Sequence, residues 1–258
     1  MRLLRAFCLS AILSTAGCAS LSSSQGGEPD YASEAESNLR LGDEAYARRD
    51  FIQAAQYYEH VRTKFPYLEV ANEAELKLAD VAFEQEQFPE AREKFQTFIK
   101  LHPTHAKVDY AAYRSALSHF EDIPSDFFLL PPSTEKDQTE VQAALRALNA
   151  FLLQYPDSAH APEAKEKVEQ VRARLAAHEL YVASFYARRE RWKAVVQRLE
   201  GLLERYPGTR LEEQALFELH EAYLKLEDAE SARKTLQRVL ERLPESDAAK
   251  RARRLLDA

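Results

Sequence analysis

Among the residues able to do chemistry, the two cysteines are the most constrained by their surroundings. Cys8 sits in a short apolar stretch, residues 6–13 (AFCLSAIL), behind the basic start Met1-Arg2-Leu3-Leu4-Arg5, and Cys18 follows the small residues Ser14-Thr15-Ala16-Gly17. This is the layout of a cleavable export signal, and its apolar stretch is far short of the ~20 residues that cross a bilayer as a helix. Cleavage before Cys18 removes Cys8 and leaves one thiol, which cannot close an internal disulfide in an oxidising compartment. The other reactive types form no set. His102 and His105 flank Pro103 with no cysteine nearby, which suits capping of a turn better than metal binding, and HExxH, CxxC, GxSxG and P-loop motifs are absent. Carboxylates alternate with Lys and Arg in the pattern of solvated helix faces. Neither an enzyme nor a metal site is expected.

The elements that carry these residues follow from composition. The 258 residues include only six Gly, and Gly42, Gly201 and Gly208 alone lie beyond Gly27, so the body lacks the residue that hairpins and phosphate loops require. Ala, Leu, Glu, Arg, Lys and Gln dominate, which are strong helix formers. An all-α protein is expected. The net charge of −7 argues against nucleic acid as a partner, since phosphate contacts need a concentrated basic surface.

Thr15-Ala16-Gly17-Cys18 resembles the lipobox of bacterial lipoproteins, with Thr15 where Leu is usual. The resemblance implies cleavage before Cys18 and an N-acyl and S-diacylglycerol lipid on it, with no other cofactor. Ala19 rather than Asp after the Cys implies the outer membrane, at its periplasmic face. The bland alternative is a plain signal peptide cleaved elsewhere. Residues 19–30 (ASLSSSQGGEPD) read as a tether, whose r.m.s. reach as a Gly/Ser-type coil is roughly 20 Å.

Internal repeats set the architecture. Phe65-Pro66, His102-Pro103, Tyr155-Pro156, Tyr206-Pro207 and Leu243-Pro244 each close a helical stretch. Twelve residues before each proline lie Ala54, Ala91, Ala144, Val195 and Ala232; eight before lie Tyr58, Phe95, Leu148, Leu199 and Leu236; five before lie Val61, Phe98, Phe151, Leu202 and Val239. These offsets share one helical face. A preceding helix carries Leu41-Gly42, Leu78-Ala79, Val182-Ala183 and Leu219-His220 at matching distances. The pattern resembles the tetratricopeptide repeat and predicts a right-handed helical-repeat solenoid of five helix pairs plus a C-terminal capping helix. The expected divisions are a signal peptide (1–17), lipidated Cys and tether (18–33), an N-terminal half (34–156, three repeats, the third a helix over 106–121 interrupted at 122–138), a C-terminal half (157–245, with one long helix over 162–190) and a capping helix (246–258) whose outer face is basic.

A lipoprotein-type signal, five repeats, the HPTH-x3-DYAAY segment from His102, the KDQT segment from Lys136 and ELYVASFYARRERWKAVVQRLEGLLERYP from Glu179 together resemble the BamD family of outer-membrane assembly lipoproteins. The family commonly has Arg-Asp-Gln at Lys136-Asp137-Gln138 and Asn-Arg at Gln197-Arg198. The resemblance implies a non-enzymatic scaffold that holds a BamA-type POTRA-barrel protein through its C-terminal half, receives unfolded β-barrel outer membrane proteins in its N-terminal half, and sits beside other lipoproteins of the complex. A periplasmic repeat adaptor for peptidoglycan or division proteins shares the repeats and is the alternative.

The 37-residue phase puts Tyr46, Phe83 and Phe120 in one row of the concave face, Arg40, Lys77 and Arg114 in a second, and Leu39, Leu76 and Tyr113 in a third, with Tyr110 close by. Apolar rings beside a ladder of cations suit an extended chain ending in an aromatic residue and a free carboxylate. The same rings equally suit an inter-repeat core, and the same cations a solvated face. Phe127-Phe128-Leu129-Leu130 require burial, over their own repeat or against a partner. Trp192 stands where Phe51 and Phe88 stand in earlier repeats and reads as core, whereas Arg188, Arg189, Arg191 and Arg198 are candidates for a partner surface.

Overall fold

The computed structural model describes residues 29–124 and 135–257, so Cys18 and the apolar run 127–130 lie outside the described residues. Among these residues there are eleven α-helices and no strand. The first three pairs are α1 (Ala35–Ala47) with α2 (Phe51–Lys64), α3 (Glu69–Glu84) with α4 (Phe88–Leu101), and α5 (Val108–Glu121) with α6 (Thr139–Gln154). Then come α7 (Ala161–Ala187) with α8 (Trp192–Arg205), α9 (Glu212–Lys225) with α10 (Ala229–Arg242), and the terminal α11 (Asp247–Leu256). Each helix packs on the next, and α1 with α3 and α5 with α7 also touch, so the first helices of the pairs form the inner layer of a solenoid.

All fifteen positions counted back from the prolines are buried, from Ala54 and Tyr58 in α2 to Leu236 and Val239 in α10. Their burial builds three apolar clusters in series: Ala45, Tyr58 and Val81 in the first, Phe95, Phe98 and Ala111 in the second, and a larger third running from Tyr113 to Ala252. Each large side chain so buried contributes about 1.5–3 kcal/mol. Where the first helix of a pair carries a small residue, that residue sets how closely the helices meet: a Cβ on Gly42 would lie 2.5 Å from the buried Tyr58 ring. In the fifth pair that position holds His220, whose Nδ1 bonds the Ala232 carbonyl at 3.0 Å.

The turn inside four of the five pairs is one motif. Arg49, Glu86, Glu190 and Glu227 all have φ between 55 and 61°, and each directly precedes the N-cap residue of the second helix. Asp50 and Asp228 follow two of them and cap α2 and α10 by accepting the backbone N–H of Gln53 and Ser231. The long helix is shorter than expected because this turn ends it at Ala187 and places residues 188–190 in the reversal. Likewise α5 begins at Val108, two residues later than expected, after a turn in which His105 Nδ1 accepts the Lys107 N–H. Ser246 caps α11 through the Ala249 N–H, and Lys250, Arg251, Arg253 and Arg254 are exposed on it.

At about 40 Å, α7 is the longest helix, and it offsets the two halves. Its start lies beside the start of α5: Ser158 Oγ donates to Asp109 at 2.7 Å, and the His160 ring stacks on Tyr113 with centroids 4.9 Å apart. Its middle touches the far end of α5, through Arg174 to the Pro124 carbonyl, and the junction after α8, through Arg172 to the Pro207 carbonyl. Its second half serves as the first helix of the fourth pair.

Two substitutions probe this geometry. Gly42→Ala is expected to lower the unfolding free energy by about 1–2 kcal/mol, the clash with Tyr58 outweighing the helix gain of ~1 kcal/mol. Glu86→Gly is expected to raise it by about 0.5–1 kcal/mol by relieving a left-handed residue. Urea titration followed by circular dichroism measures both.

Candidate binding face

On the inner face of the N-terminal half, the expected cations are paired across repeats. Lys77 Nζ lies 3.1 Å from Asp43 Oδ1, and Arg114 reaches Asp80 through Nε at 3.3 Å and Glu84 through Nη2 at 3.4 Å. The two aspartates are themselves held, Asp43 by the Tyr58 hydroxyl and Asp80 by that of Tyr110, each donating at 2.7 Å. Arg114 is nearly buried, with its guanidinium 3.7 Å from the centroid of Phe83. Arg40 alone of the three is exposed; it contacts Ser37 at 3.4 Å and forms no ion pair among the described residues. The ladder of cations is therefore a ladder of ion pairs with one open rung.

The aromatic row divides differently. Tyr46, Phe83 and Phe120 are half-buried: each packs on a core cluster while keeping part of its surface open. Tyr46 meets Phe51 edge-on at 5.6 Å, Phe83 meets Phe88 in the same way at 5.4 Å, and Lys167 lies 4.5 Å over the Phe120 ring. In the third row Leu76 and Tyr113 are buried and Leu39 is half-buried, so Leu76 and Tyr113 serve the inter-repeat core and offer no surface. Tyr110 spends its hydroxyl on Asp80.

Burial and like charge govern protonation here. Tyr46 is pushed up to about 12 by burial, then by the Asp80 and Glu84 carboxylates. Burial raises Tyr58 and Tyr110 as well, reinforced by the carboxylates they bond. Burial also pushes the Asp80 carboxyl up, against the pull of the Tyr110 hydroxyl and the Arg114 charge.

The pairing aspartates escaped the sequence reading although they carry a signal, since Asp43 and Asp80 share the 37-residue phase and each sits three residues after a cation of the ladder. In the C-terminal half, Arg188, Arg189 and Arg191 are exposed at the α7–α8 turn, with Arg189 3.5 Å over the Phe185 ring. Arg198 is instead committed to the buried Glu179 at 3.3 Å, and Arg205 bonds the same carboxylate at 2.6 Å. Gly201 makes this possible: Arg205 folds back over it, and an added Cβ would stand 2.9 Å from its guanidinium. Trp192 packs on the third cluster. His102 pairs with Glu75 at 2.9 Å, and among the described residues no three His, Cys, Asp or Glu side chains could hold a metal ion. No helix among them is long and apolar enough to cross a membrane.

Serial helix pairs that keep paired charges and half-open rings on an inner face define a helical-repeat binding scaffold. The chain belongs to the outer membrane lipoprotein family YfiO, whose model matches residues 32–240, and it is a scaffold of that family rather than an enzyme. Its relatives include the outer membrane protein assembly factors BamD of Pasteurella multocida, 28% identical over 81% of this chain and 82% of that protein, and of Vibrio cholerae, 27% identical over 80% and 83%. The BamD of Neisseria gonorrhoeae is 28% identical over 74% and 72%. Among solved structures, the TPR2AB domain of yeast Sti1 is similar at 12% identity, covering 83% of this chain and 80% of that one, with a TM-score of 0.43.

Two measurements test the paired face. Arg114→Met, which removes the guanidinium from a buried Asp80 and leaves it the Tyr110 hydroxyl, is expected to cost about 3 kcal/mol by urea titration. Because the folded state holds the Tyr46 proton to about pH 12 while the unfolded chain releases it near 10, stability should fall as pH rises through that window. Tyr46→Phe should flatten the decline in an alkaline denaturation series.

Proposed function

We propose that the chain is a scaffold for outer membrane protein assembly, anchored to the periplasmic face of the outer membrane by N-acyl and S-diacylglycerol lipid on Cys18. Its N-terminal half receives the carboxy-terminal segment of an unfolded β-barrel protein, and its C-terminal half holds the POTRA domain of a BamA-type protein alongside other lipoproteins of the complex. Family membership and the names of the relatives support the assembly role. The observation that carries the substrate reading is the open rung: exposed Arg40 lies on the same helix as the half-open ring of Tyr46, with Phe83 and Phe120 following in the next two repeats.

In this reading a terminal carboxylate meets Arg40, which pairs with no carboxylate among the described residues, and apolar side chains of the segment lie on the rings. Lys77, Arg114 and Tyr110 hold the inner face in shape through Asp43 and Asp80. Support for the partner surface is the exposed cluster Arg188, Arg189 and Arg191, which suits an acidic face; Arg198 ties α8 to α7 through Glu179, away from that turn.

Arg40→Glu, on an exposed side chain, leaves the fold intact and is expected to weaken binding of a fluorescent β-barrel carboxy-terminal peptide about tenfold, equivalent to ~1.4 kcal/mol. Unchanged affinity would sink the substrate reading. A membrane pull-down through a C-terminal tag should recover a large POTRA-barrel protein, and recovery of peptidoglycan enzymes in its place overturns the assembly reading.

A further inference from the structure

The solenoid has two edges, and they differ. Helix α1 begins at the edge where α2 and α4 end, where α3 and α5 begin, and where the junction before α7 lies. Contacts across that edge fix the assignment: the Tyr31 ring stacks on His60 near the end of α2 with centroids 3.9 Å apart, Lys107 at the start of α5 pairs with Glu73 at the start of α3, and Ser158 bonds Asp109. Large apolar side chains stand in water along this one edge of the N-terminal half. Tyr67 is 98% exposed and Leu153 86%, with Leu101 and Leu68 also open. The other exposed large apolar side chains among the described residues, Ile52, Leu224 and Leu255, lie at helix ends on the opposite edge.

Two facts select what covers this edge. The chain leaves the solenoid there, and Cys18 is thirteen residues before Tyr31, a span that reaches at most about 45 Å when fully extended. The C-terminal half is also set back: its corresponding junction, Pro207, lies at the level of Arg172, eleven residues along α7, or about 17 Å. The N-terminal edge therefore stands proud and can meet a surface without the rest of the body colliding with it. Of the nearby acidic groups, Glu73 is engaged by Lys107 and Glu75 by His102, while Glu69 and Asp157 are exposed and can turn to the water side of the edge; Lys64 and Lys100 are exposed beside the apolar residues and can reach past them to headgroups.

We propose that Tyr67, Leu68, Leu101 and Leu153 form a membrane-contact edge that inserts shallowly into the leaflet carrying the lipid anchor. The inference rests on the lipid anchor at Cys18 proposed above. Tyrosine suits the headgroup level and leucine the acyl boundary about 5–10 Å deep. Four side chains bind weakly alone, but a tether holds them at an effective concentration on the order of mM, so the contact is populated only when the anchor is in place. It orients the body with its repeat axis along the membrane and the inner face to one side.

The test uses the mature lipidated chain in phosphatidylethanolamine–phosphatidylglycerol vesicles doped with spin-labelled lipid. Single cysteines carry a fluorophore at Tyr67→Cys or Leu153→Cys, with Ile52→Cys and Leu224→Cys as opposite-edge references. All four positions are exposed, and acylated Cys18 does not react with the label. The expected result is loss of fluorescence at 67 and 153 with little change at 52 and 224. Equal quenching at both edges, or none in a chain that floats with the vesicles, overturns the contact while leaving the anchor standing. A chain that does not float overturns the anchor and the contact together.

Discussion

A pair of antiparallel helices has more apolar surface than it can cover by itself, and this shortage dictates the rest of the molecule. Each pair buries one stripe internally and must lend the other to its neighbour, so the core is a series of linked clusters rather than one centre. Closing the stripe requires a small residue opposite a large one. Gly42 against Tyr58 is the tightest case, and alanines do the same service at positions 79 and 183. The last pair is covered by α11, which turns buried alanines inward and four cations outward.

Charge is organised by the same neighbour dependence. Asp43 and Asp80 each belong to one pair and neutralise a cation of the next, with a tyrosine hydroxyl holding the carboxylate in position. In the C-terminal half the buried acids pair inside their own helix pair instead, Glu179 of α7 with Arg198 and Arg205 of α8, and Glu212 of α9 with Arg242 of α10 at 2.6 Å. Buried acids engaged in this way fix register more than they add stability, because desolvation offsets much of the attraction. Arg40 at one end and the Arg188, Arg189 and Arg191 turn in the other half stand outside these cross-helix pairs and stay exposed.

The apolar frame was legible in the sequence because it repeats with the helix period: all fifteen counted positions are buried, and even the long connecting helix was misjudged only at its end. The site was less legible. Position in the phase cannot tell a ring that faces a groove from one that faces a neighbour, so Leu76 and Tyr113 share a row with Leu39 yet are buried. Pairing across repeats needs both the phase and the sign of charge, and only the cations were traced. The left-handed turn residues were invisible because Arg and Glu stand where glycine would have signalled the conformation. Gly201 interrupts a helix interior for a reason that only the three-dimensional fold supplies, since Arg205 lies across it.

The helix α7 belongs to two repeats at once, packing on α6 and α5 of the third and on α8 of the fourth. A hinge between the halves would have to break hydrogen bonds in the middle of a continuous helix, where Arg172 and Arg174 also tie both sides to it. The joint is thus a strut rather than a linker, and a load borne by one half is transmitted as tilt of the other. Whatever the two faces hold is kept at a set distance and angle, so the body works as a mechanical spacer whose span is fixed by the length of one helix.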